Sequence, residues 1–403
     1  MNDSIVAELK RSAETITHID PAQIRAAADL IIESFRNGGQ IIFMGNGGSS
    51  ADAQHIAAEF SGRYMMERPA LPSICLSNIA PVTAIGNDYT YDIVFKRQIE
   101  ANCRKGDVVV ATDAEHNSNH VPWLYLRDNM GVERRMSRSR PDGSFDMESF
   151  QKCMDSKVKV VSVQHCNNVT GCTIPIRAIA EIAHDRGALV MVDGAQAAPH
   201  MAVDLKKADV DIYCMSIHKM LGPTGMGVMY GKREVLEKLR PMTLGGGTVG
   251  LATYDSVNLA PIPDRFEAGL HNYAGIIGTK AALDYLSKIG MDEIERWDTE
   301  LMRRLMSGLE DIRNLHPVGP TDPDRRGSVF SFNIDGLGAH DIAMMLDSMA
   351  GIMIRSGMHC AHPFYVSRGI DGSARASVYL YNSLEEMDIF TDTVRNIAET
   401  FGD

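Results

Sequence analysis

The sequence has no apolar run approaching the roughly 20 residues that a transmembrane helix requires. It also has no excess of basic residues, because 52 Asp and Glu residues outnumber 40 Lys and Arg residues, for a formal net charge of −12. These two absences argue against a membrane-spanning protein and against a general binder of nucleic acids or anionic membranes. We therefore expect neither a membrane nor a nucleic acid among its partners.

Targeting and metal-binding patterns are missing as well. The N-terminal stretch MNDSIVAELKRSAETI reads as an amphipathic helix and lacks the apolar core of a signal peptide. Seven cysteines are scattered along the chain without CxxC spacing, which favours reduced thiols over a disulfide framework or a cysteine-ligated metal. These features predict a cytoplasmic protein with no metal site.

The first hundred residues have an α/β pattern. Helices are predicted over 4–17 and 21–36, and the second begins at Pro21 and ends before a glycine pair. A short apolar strand, QIIFM, then leads into the loop GNGGSS at 45–50, and the helix ADAQHIAAEFSGRY follows.

From Gly106 onward, apolar strands alternate with amphipathic helical stretches. The strands are DVVVAT, KVVSVQ, ALVMVD, DIYCMS and GVMYG, and this alternation predicts a mainly parallel sheet with helices on both faces. After about Thr279 the pattern changes to a long helix, DEIERWDTELMRRLMSGLEDI, followed by SVFSFNI, HDIAMMLDSM, ASVYLY and a last helix. We interpret this part as a small α+β domain, which gives predicted segments of 1–105, 106–279 and 280–403.

Two successive strands of the predicted sheet end in residues suited to pyridoxal 5'-phosphate (PLP). One ends at Asp193, with Gln196 just beyond it, and the next ends at Ser216, followed by His218 and Lys219. A lysine amine can form the Schiff base, and a carboxylate keeps the pyridine nitrogen protonated so that the ring takes up electrons. Ser216 and His218 can donate hydrogen bonds to the phosphate. The alternative is a surface lysine that follows an ordinary buried strand.

The segments VDGAQAAPH, SIHKMLGPTGMG and RSGMHCAHP, in this order, resemble the class V aminotransferases, and among them the cysteine desulfurases and selenocysteine lyases. The resemblance runs from about Lys105 to the C-terminus. It implies a PLP-dependent enzyme of fold type I, active as a homodimer. It also implies a role for His116 stacked on the PLP ring, for Asn168 near the substrate carboxylate and the PLP hydroxyl, and for Arg375 as the bidentate partner of that carboxylate.

Cys360 lies in the segment RSGMHCAHP, with Arg355 and His359 nearby. Cationic and imidazole groups favour the thiolate, which is the nucleophilic form of cysteine. The resemblance implies that Cys360 attacks the sulfur of L-cysteine, or the selenium of selenocysteine, and that alanine is released. As a loop residue beside Gly357, Cys360 can swing outward and pass its sulfur to an acceptor protein. A half-buried structural cysteine is the alternative.

The first part of the chain, about residues 1–111, resembles the phosphoheptose isomerases of the sugar-isomerase (SIS) domain family. The resemblance rests on QIIFMGNGGSSADAQHIAAEFSGR and AIGNDYTYDIVFKRQIEA. A Gly/Ser-rich loop at a helix N-terminus offers backbone N–H groups and hydroxyls to an anion, so Asn46, Ser49 and Ser50 are candidate sugar-phosphate ligands. His55 and Glu59 match an acid/base or metal-ligand pair of that family, or form a solvated pair on the helix surface.

Each resemblance is to part of a family pattern. The stretch that resembles the isomerases ends at GDVVVA, before the second phosphate loop of that family. The stretch that resembles the desulfurases lacks the N-terminal strand and loop that bind the PLP phosphate in that family. Leu270 and Tyr273 occupy positions at which the desulfurases usually have small hydroxyl residues. Either the GNGGSS loop substitutes for the missing phosphate loop, or the chain is a recombined coding sequence. The rival functions are a sedoheptulose 7-phosphate isomerase and a non-catalytic phosphosugar sensor.

Overall fold

The structure is a computed structural model, and it describes residues 21–36, 41–43, 73–75, 106–241 and 244–402. The chain divides into two compact units, Met1–Ile79 and Ala80–Asp403, and each is described by itself. Within the described residues, no helix is both long enough and apolar enough to cross a bilayer.

The first unit contains helix α1 (Pro21–Arg36) and two short parallel strands, β1 (Ile41–Phe43) and β2 (Ser73–Cys75). Helix α1 confirms the prediction for 21–36, and Pro21 suits the first helical turn because its missing N–H would be unpaired there. Strand β1 confirms the prediction of a strand in QIIFM. The predicted helix over 4–17 and the GNGGSS loop lie outside the described residues.

The second unit is built on a six-stranded sheet in the order β4-β3-β5-β6-β7-β8. Strands β4, β3, β5, β6 and β7 run parallel, and β8 pairs antiparallel with β7. The five strands predicted from the sequence are all present, whereas β4 was not predicted because ERRMS has no apolar run. The bounds are β3 Val108–Thr112, β4 Glu133–Ser137, β5 Val158–Gln164, β6 Leu189–Asp193, β7 Ile212–Ser216 and β8 Gly227–Gly231.

Both faces of this sheet are covered by helices, as the alternation of elements predicted. Successive side chains of a strand point to opposite faces. Val109 accordingly packs with Trp123 and Leu126 of helix α2 (Asn117–Met130). Val110 lies in the hydrophobic cluster that contains Ile179 of helix α4 (Ile176–His184). The helices of this part are α2 Asn117–Met130, α3 Met147–Cys153, α4 Ile176–His184, α5 Leu205–Ala208 and α6 Arg233–Leu236.

A hairpin and two long helices connect this sheet to a second one. The hairpin pairs β9 (Val249–Ala252) with β10 (Val257–Leu259). Helix α7 (Tyr273–Ile289) is followed directly by α8 (Met291–Leu309). Helix α8 confirms the long helix predicted for DEIERWDTELMRRLMSGLEDI.

The second sheet is antiparallel, in the order β11-β12-β14-β13, and it packs on α8 and on two later helices. The strand SVFSFNI and the helix HDIAMMLDSM are confirmed. The bounds are β11 Leu315–Val318, β12 Val329–Ile334, α9 Ala339–Ala350, β13 Arg355–Gly357, α10 His362–Val366, β14 Ser373–Ser377 and α11 Leu384–Phe401.

The prediction of a strand over ASVYLY was wrong in position. Strand β14 covers Ser373–Ser377 and ends where the apolar run begins. Tyr379 is buried outside the sheet, and its hydroxyl donates a hydrogen bond to the carbonyl of Pro199 (2.9 Å). The burial of Tyr379 in ASVYLY is thus explained by packing against the large sheet and not by strand pairing. The three predicted segments, 1–105, 106–279 and 280–403, stay a prediction.

Candidate active site

A cavity of about 530 Å³ opens at the carboxyl ends of β5, β6 and β7. This edge of a parallel sheet is the usual position of a ligand in open α/β folds. Seven of the residues predicted from the sequence line it together: His116, Asn168, Asp193, Gln196, Ser216, His218 and Lys219.

Lys219 lies in a short 3-10 turn, Ile217–Lys219, that follows β7 directly. Its Nζ donates a hydrogen bond to Oε1 of Gln196 (3.2 Å). Burial lowers the pKa of Lys219, and the charges of Arg375 and Arg355 lower it further against the opposite effect of Asp193. A lysine with a lowered pKa has more of the neutral amine, which is the nucleophilic form.

Asp193 is the last residue of β6, and hydrogen bonds to its side chain and to its backbone carbonyl fix its position. Its Oδ1 accepts a hydrogen bond from the backbone N–H of Ala195 (2.9 Å), and its carbonyl accepts one from the N–H of His165 (2.8 Å). The ring of Tyr213 lies directly against Gly194, so that a Cβ at this position would be 2.0 Å from a ring carbon. Only glycine therefore fits between Asp193 and the buried Tyr213 ring.

His116 is the N-cap residue of α2. Its Nδ1 accepts a hydrogen bond from the backbone N–H of Ser118 (3.2 Å), which places the ring proton of the neutral form on Nε2. Burial lowers the pKa of His116. The neutral imidazole with Nε2 protonated is consequently the form that faces the cavity.

Cys360 and Arg375 lie beside the cavity, next to Arg355, which lines it. The Nη2 of Arg355 is 3.4 Å from the Sγ of Cys360. Arg355 and Arg375 are directly opposite each other on β13 and β14, an unfavourable arrangement for like charges unless an anion lies between or near them. Burial, followed by the charge of Arg355, lowers the pKa of Arg375 to about 10.

Three buried polar atoms beside Cys360 have no hydrogen-bond partner among the described residues: Asn168 Oδ1, His359 Nδ1 and Arg375 Nε. The rest of this group is tightly bonded, since Asn168 Nδ2 donates to the carbonyl of His359 (2.7 Å) and Arg375 Nη1 donates to the carbonyl of Asn168 (2.8 Å). Unpaired buried groups cost free energy. A polar ligand that pairs with them would remove this cost.

The backbone around Cys360 is fixed. His359 and Cys360 both adopt left-handed conformations, with φ of 49° and 58°, which few non-glycine residues do. The carbonyl of Cys360 accepts a hydrogen bond from the N–H of Asn117 (2.7 Å). A displacement of this backbone would break that bond and the one from Asn168 to His359, and the outward swing of the Cys360 thiol stays a prediction.

Some features of the site were not predicted from the sequence. One is the strand register that places Arg355 opposite Arg375, and another is the packing of the Tyr213 ring against Gly194. Both depend on contacts between distant segments, which local sequence patterns do not predict. Glu115 was also missed, although it directly precedes His116. The candidate sugar-phosphate residues Asn46, Ser49, Ser50, His55 and Glu59 lie outside the described residues.

We expect Gly194→Ala to destabilise the protein by about 3 kcal/mol, because the added Cβ forces the Tyr213 ring or the Asp193 turn to move. Urea unfolding monitored by circular dichroism measures the change. Gly246→Ala is the matched control, since no heavy atom lies within 4 Å of its Cβ position. Equal unfolding midpoints for the two variants would contradict the close packing at Gly194.

The buried imidazole of His359 predicts a pH dependence of stability. Burial lowers its pKa to about 3, well below the ordinary value of 6.5, so as the pH falls below 6.5 the unfolded chain takes up a proton that the folded chain does not. The advantage of wild type over His359→Gln in unfolding free energy should therefore shrink by about 1.4 kcal/mol per pH unit below 6.5. The exposed His340→Gln is the control, and a pH-independent difference for His359→Gln would refute the assignment.

Comparisons with known proteins agree with this architecture. A sequence model of the family described as aminotransferase class-V matches residues 92–390, and one described as SIS domain matches residues 6–122. The two matches overlap at 92–122, which includes the strand GDVVVA where the two resemblances were predicted to meet. The predicted resemblances to the class V aminotransferases and to the SIS domain family are therefore confirmed.

Curated relatives cover about three quarters of the chain. A probable cysteine desulfurase of Halalkalibacterium halodurans is 39% identical over 75% of this chain and 73% of its own length. The cysteine desulfurase of Haloferax volcanii is 38% identical over 73% of this chain and 69% of its own length.

Solved structures give the same result. The apo cysteine desulfurase of Thermococcus onnurineus has a TM-score of 0.72 at 36% identity and covers 76% of both chains. The cysteine desulfurase CsdA of Escherichia coli has a TM-score of 0.71 at 29% identity and covers 77% of this chain and 76% of its own. The α/β fold type I expected from the sequence is confirmed, and the chain belongs to the class-V aminotransferase family, in which these relatives are cysteine desulfurases.

Proposed function

We propose that this protein is a PLP-dependent cysteine desulfurase, which removes sulfur from L-cysteine (or selenium from selenocysteine) and produces alanine. The observation that carries the proposal is that Lys219, in the turn after β7, and Arg355, on β13 of the second sheet, line one cavity, and that Cys360, in the loop after β13, lies with its Sγ 3.4 Å from Arg355. A lysine amine and a cysteine thiol at one site supply the two nucleophiles that the reaction needs. The relatives named above support the same activity.

The donor set of the cavity fits PLP. Asp193 has one carboxylate oxygen engaged by Ala195, which leaves the other for a protonated ring nitrogen. Gln196 and His116 suit the ring hydroxyl and the ring face, Ser216 and His218 suit the phosphate, and Lys219 suits the aldehyde. When bound, PLP supplies an electron sink that stabilises negative charge next to the substrate amino group.

The chain's own residues then bind the substrate and move its protons. Arg375, whose Nε has no partner among the described residues, binds the substrate carboxylate, and Asn168 helps to orient it. Lys219, with its lowered pKa, takes the proton from the substrate Cα. His116 Nε2 is the group positioned to hold or return a proton at the ring face.

Cys360 performs the sulfur transfer. A new bond forms between its Sγ and the substrate sulfur while the Cβ–S bond of the substrate breaks, and protonation of Cβ completes alanine. Cys360 is left as a persulfide. Arg355 Nη2, 3.4 Å from Sγ, is placed to donate a hydrogen bond to it.

The proposal also covers the oligomeric state of the protein, its cellular compartment and its sulfur acceptor. Exposed apolar residues on the hairpin, on α7 and between them support a homodimer, and they are Leu251, Tyr254, Leu270, Tyr273 and Ile277. Cys153, Cys166, Cys172, Cys214 and Cys360 are free thiols, which supports a reducing compartment such as the cytoplasm. An acceptor protein would then take the sulfur from Cys360, whose side chain is partly exposed.

The SIS match over residues 6–122 supports a second candidate, a phosphosugar-binding or phosphoheptose isomerase-like function through Asn46, Ser49, Ser50, His55 and Glu59. A phosphate loop at a helix N-terminus suits a sugar phosphate. Conversion of sedoheptulose 7-phosphate by the pure protein would put this candidate first.

Two substitutions separate the proposed roles of lysine and cysteine. Lys219→Ala should lose both the absorbance band of bound PLP and sulfide release, whereas Cys360→Ser should keep the band and lose about a hundredfold or more in sulfide release. Cys153→Ser, away from the cavity, is the control and should behave as wild type. Undiminished sulfide release by Cys360→Ser would rule out the proposed nucleophile.

A further inference from the structure

A chain of buried polar side chains lies beneath His116. The hydroxyl of Thr112 donates to Oε1 of Glu115 (2.6 Å), Asn119 Nδ2 donates to Oε2 of Glu115 (2.8 Å), and the hydroxyl of Ser162 donates to Oδ1 of Asn119 (2.5 Å). All four residues are at most 4% exposed. Both carboxyl oxygens of Glu115 are therefore engaged, and each by a different element.

The elements joined in this way form the corner that presents His116. Thr112 is the last residue of β3, and Asn119 lies in the first turn of α2. Glu115 thus ties the strand that precedes His116 to the helix that follows it. Ser162 on β5 anchors the same group to the neighbouring strand.

The orientation of the His116 ring depends on that first helical turn. Its Nδ1 accepts from the N–H of Ser118, and its carbonyl accepts from the N–H of Asn119 (2.9 Å). His116 and Asn119 both line the cavity. A shift of the first turn would consequently move the imidazole and release the hydrogen bond that selects its tautomer.

Glu115 is costly to bury. It makes no ion pair with a lysine or arginine among the described residues, and burial raises its pKa to about 7 against the opposing hydrogen bonds from Thr112 and Asn119. Apolar residues of similar volume often stabilise a core as well as a buried charged network does. The structural consequence of the network is the geometry that it imposes on the corner.

We propose that Glu115 is a positioning residue that fixes the β3–α2 corner and thereby holds the His116 imidazole in its Nε2-protonated form at the cavity. It acts through His116 and does not itself touch the substrate. The kinetic consequence rests on the proposed desulfurase function, whereas the tautomer of His116 can be tested without it.

The test compares Glu115→Ala with Glu115→Gln in the full-length protein. Glutamine can accept from Asn119 and donate to Thr112, so it restores the bridge, whereas alanine removes it. Asp298→Asn is the matched control, because Asp298 is another buried carboxylate, 4% exposed, bonded to His200 and Ser328 away from the cavity. Thr112→Val, which removes one donor to Glu115, replaces Glu115→Ala if that variant does not fold.

Two readouts are measured: the His116 tautomer, by NMR of protein labelled with 15N-histidine before and after PLP addition, and the kinetics of sulfide release. We expect Glu115→Ala to show a mixture of tautomers and a kcat lowered by about tenfold or more, with KM within about threefold of wild type. Glu115→Gln should keep one tautomer and most of kcat, and Asp298→Asn should lose stability alone.

A single Nε2–H tautomer in Glu115→Ala, with kcat within about twofold of wild type, would overturn the proposal. The same tautomer mixture in Asp298→Asn would also overturn it, because general loosening would then explain the effect. If wild type releases no sulfide from cysteine, the proposed function fails, and the tautomer comparison alone decides the role of Glu115.

Discussion

Parallel hydrogen bonding between β5, β6 and β7 aligns Gln164 with Asp193 and Asp193 with Cys214, and the candidate active site depends on this alignment. It brings the ends of three strands to one edge, so that the loops after them open into a common cavity. The Asp193 turn is then fixed from below by the Tyr213 ring against Gly194. Lys219 lies three residues after Ser216, the last residue of the adjacent strand β7. Its Nζ donates a hydrogen bond to Gln196, which lines the same cavity.

The second sheet completes the site through a few specific contacts. Ser331 of β12 donates a hydrogen bond to the carbonyl of Val169 (2.6 Å), next to Asn168. Asn168 bonds to His359, and Asn117 bonds to Cys360. These bonds hold the thiol and the two opposed arginines at the cavity edge, beside the three polar atoms that have no hydrogen-bond partner in the part of the chain that the structure describes. A polar ligand that pairs with these atoms would offset the cost of burying them unpaired.

Local patterns in the sequence were enough to predict the strand ends and the residues on them, because strand periodicity and terminal polar residues are local signals. They placed Asp193, Ser216 and Lys219 correctly at one edge. They could not give the pairing of Arg355 with Arg375 or the network around Glu115, since both arise from contacts between segments far apart in the chain. The run VYLY misled the strand prediction because its burial comes from packing of Tyr379 near Pro199 and not from a sheet.

The central claim is that Cys360 receives the sulfur of the substrate. The most direct test is peptide mass spectrometry of the PLP-loaded protein after reaction with L-cysteine in the absence of reductant. The account predicts that the peptide containing Cys360 gains the mass of one sulfur atom, in proportion to the alanine formed. Alanine formation without added sulfur on Cys360, or with the sulfur on Cys166 or Cys214, the two cysteines among the residues that line the cavity, would contradict it.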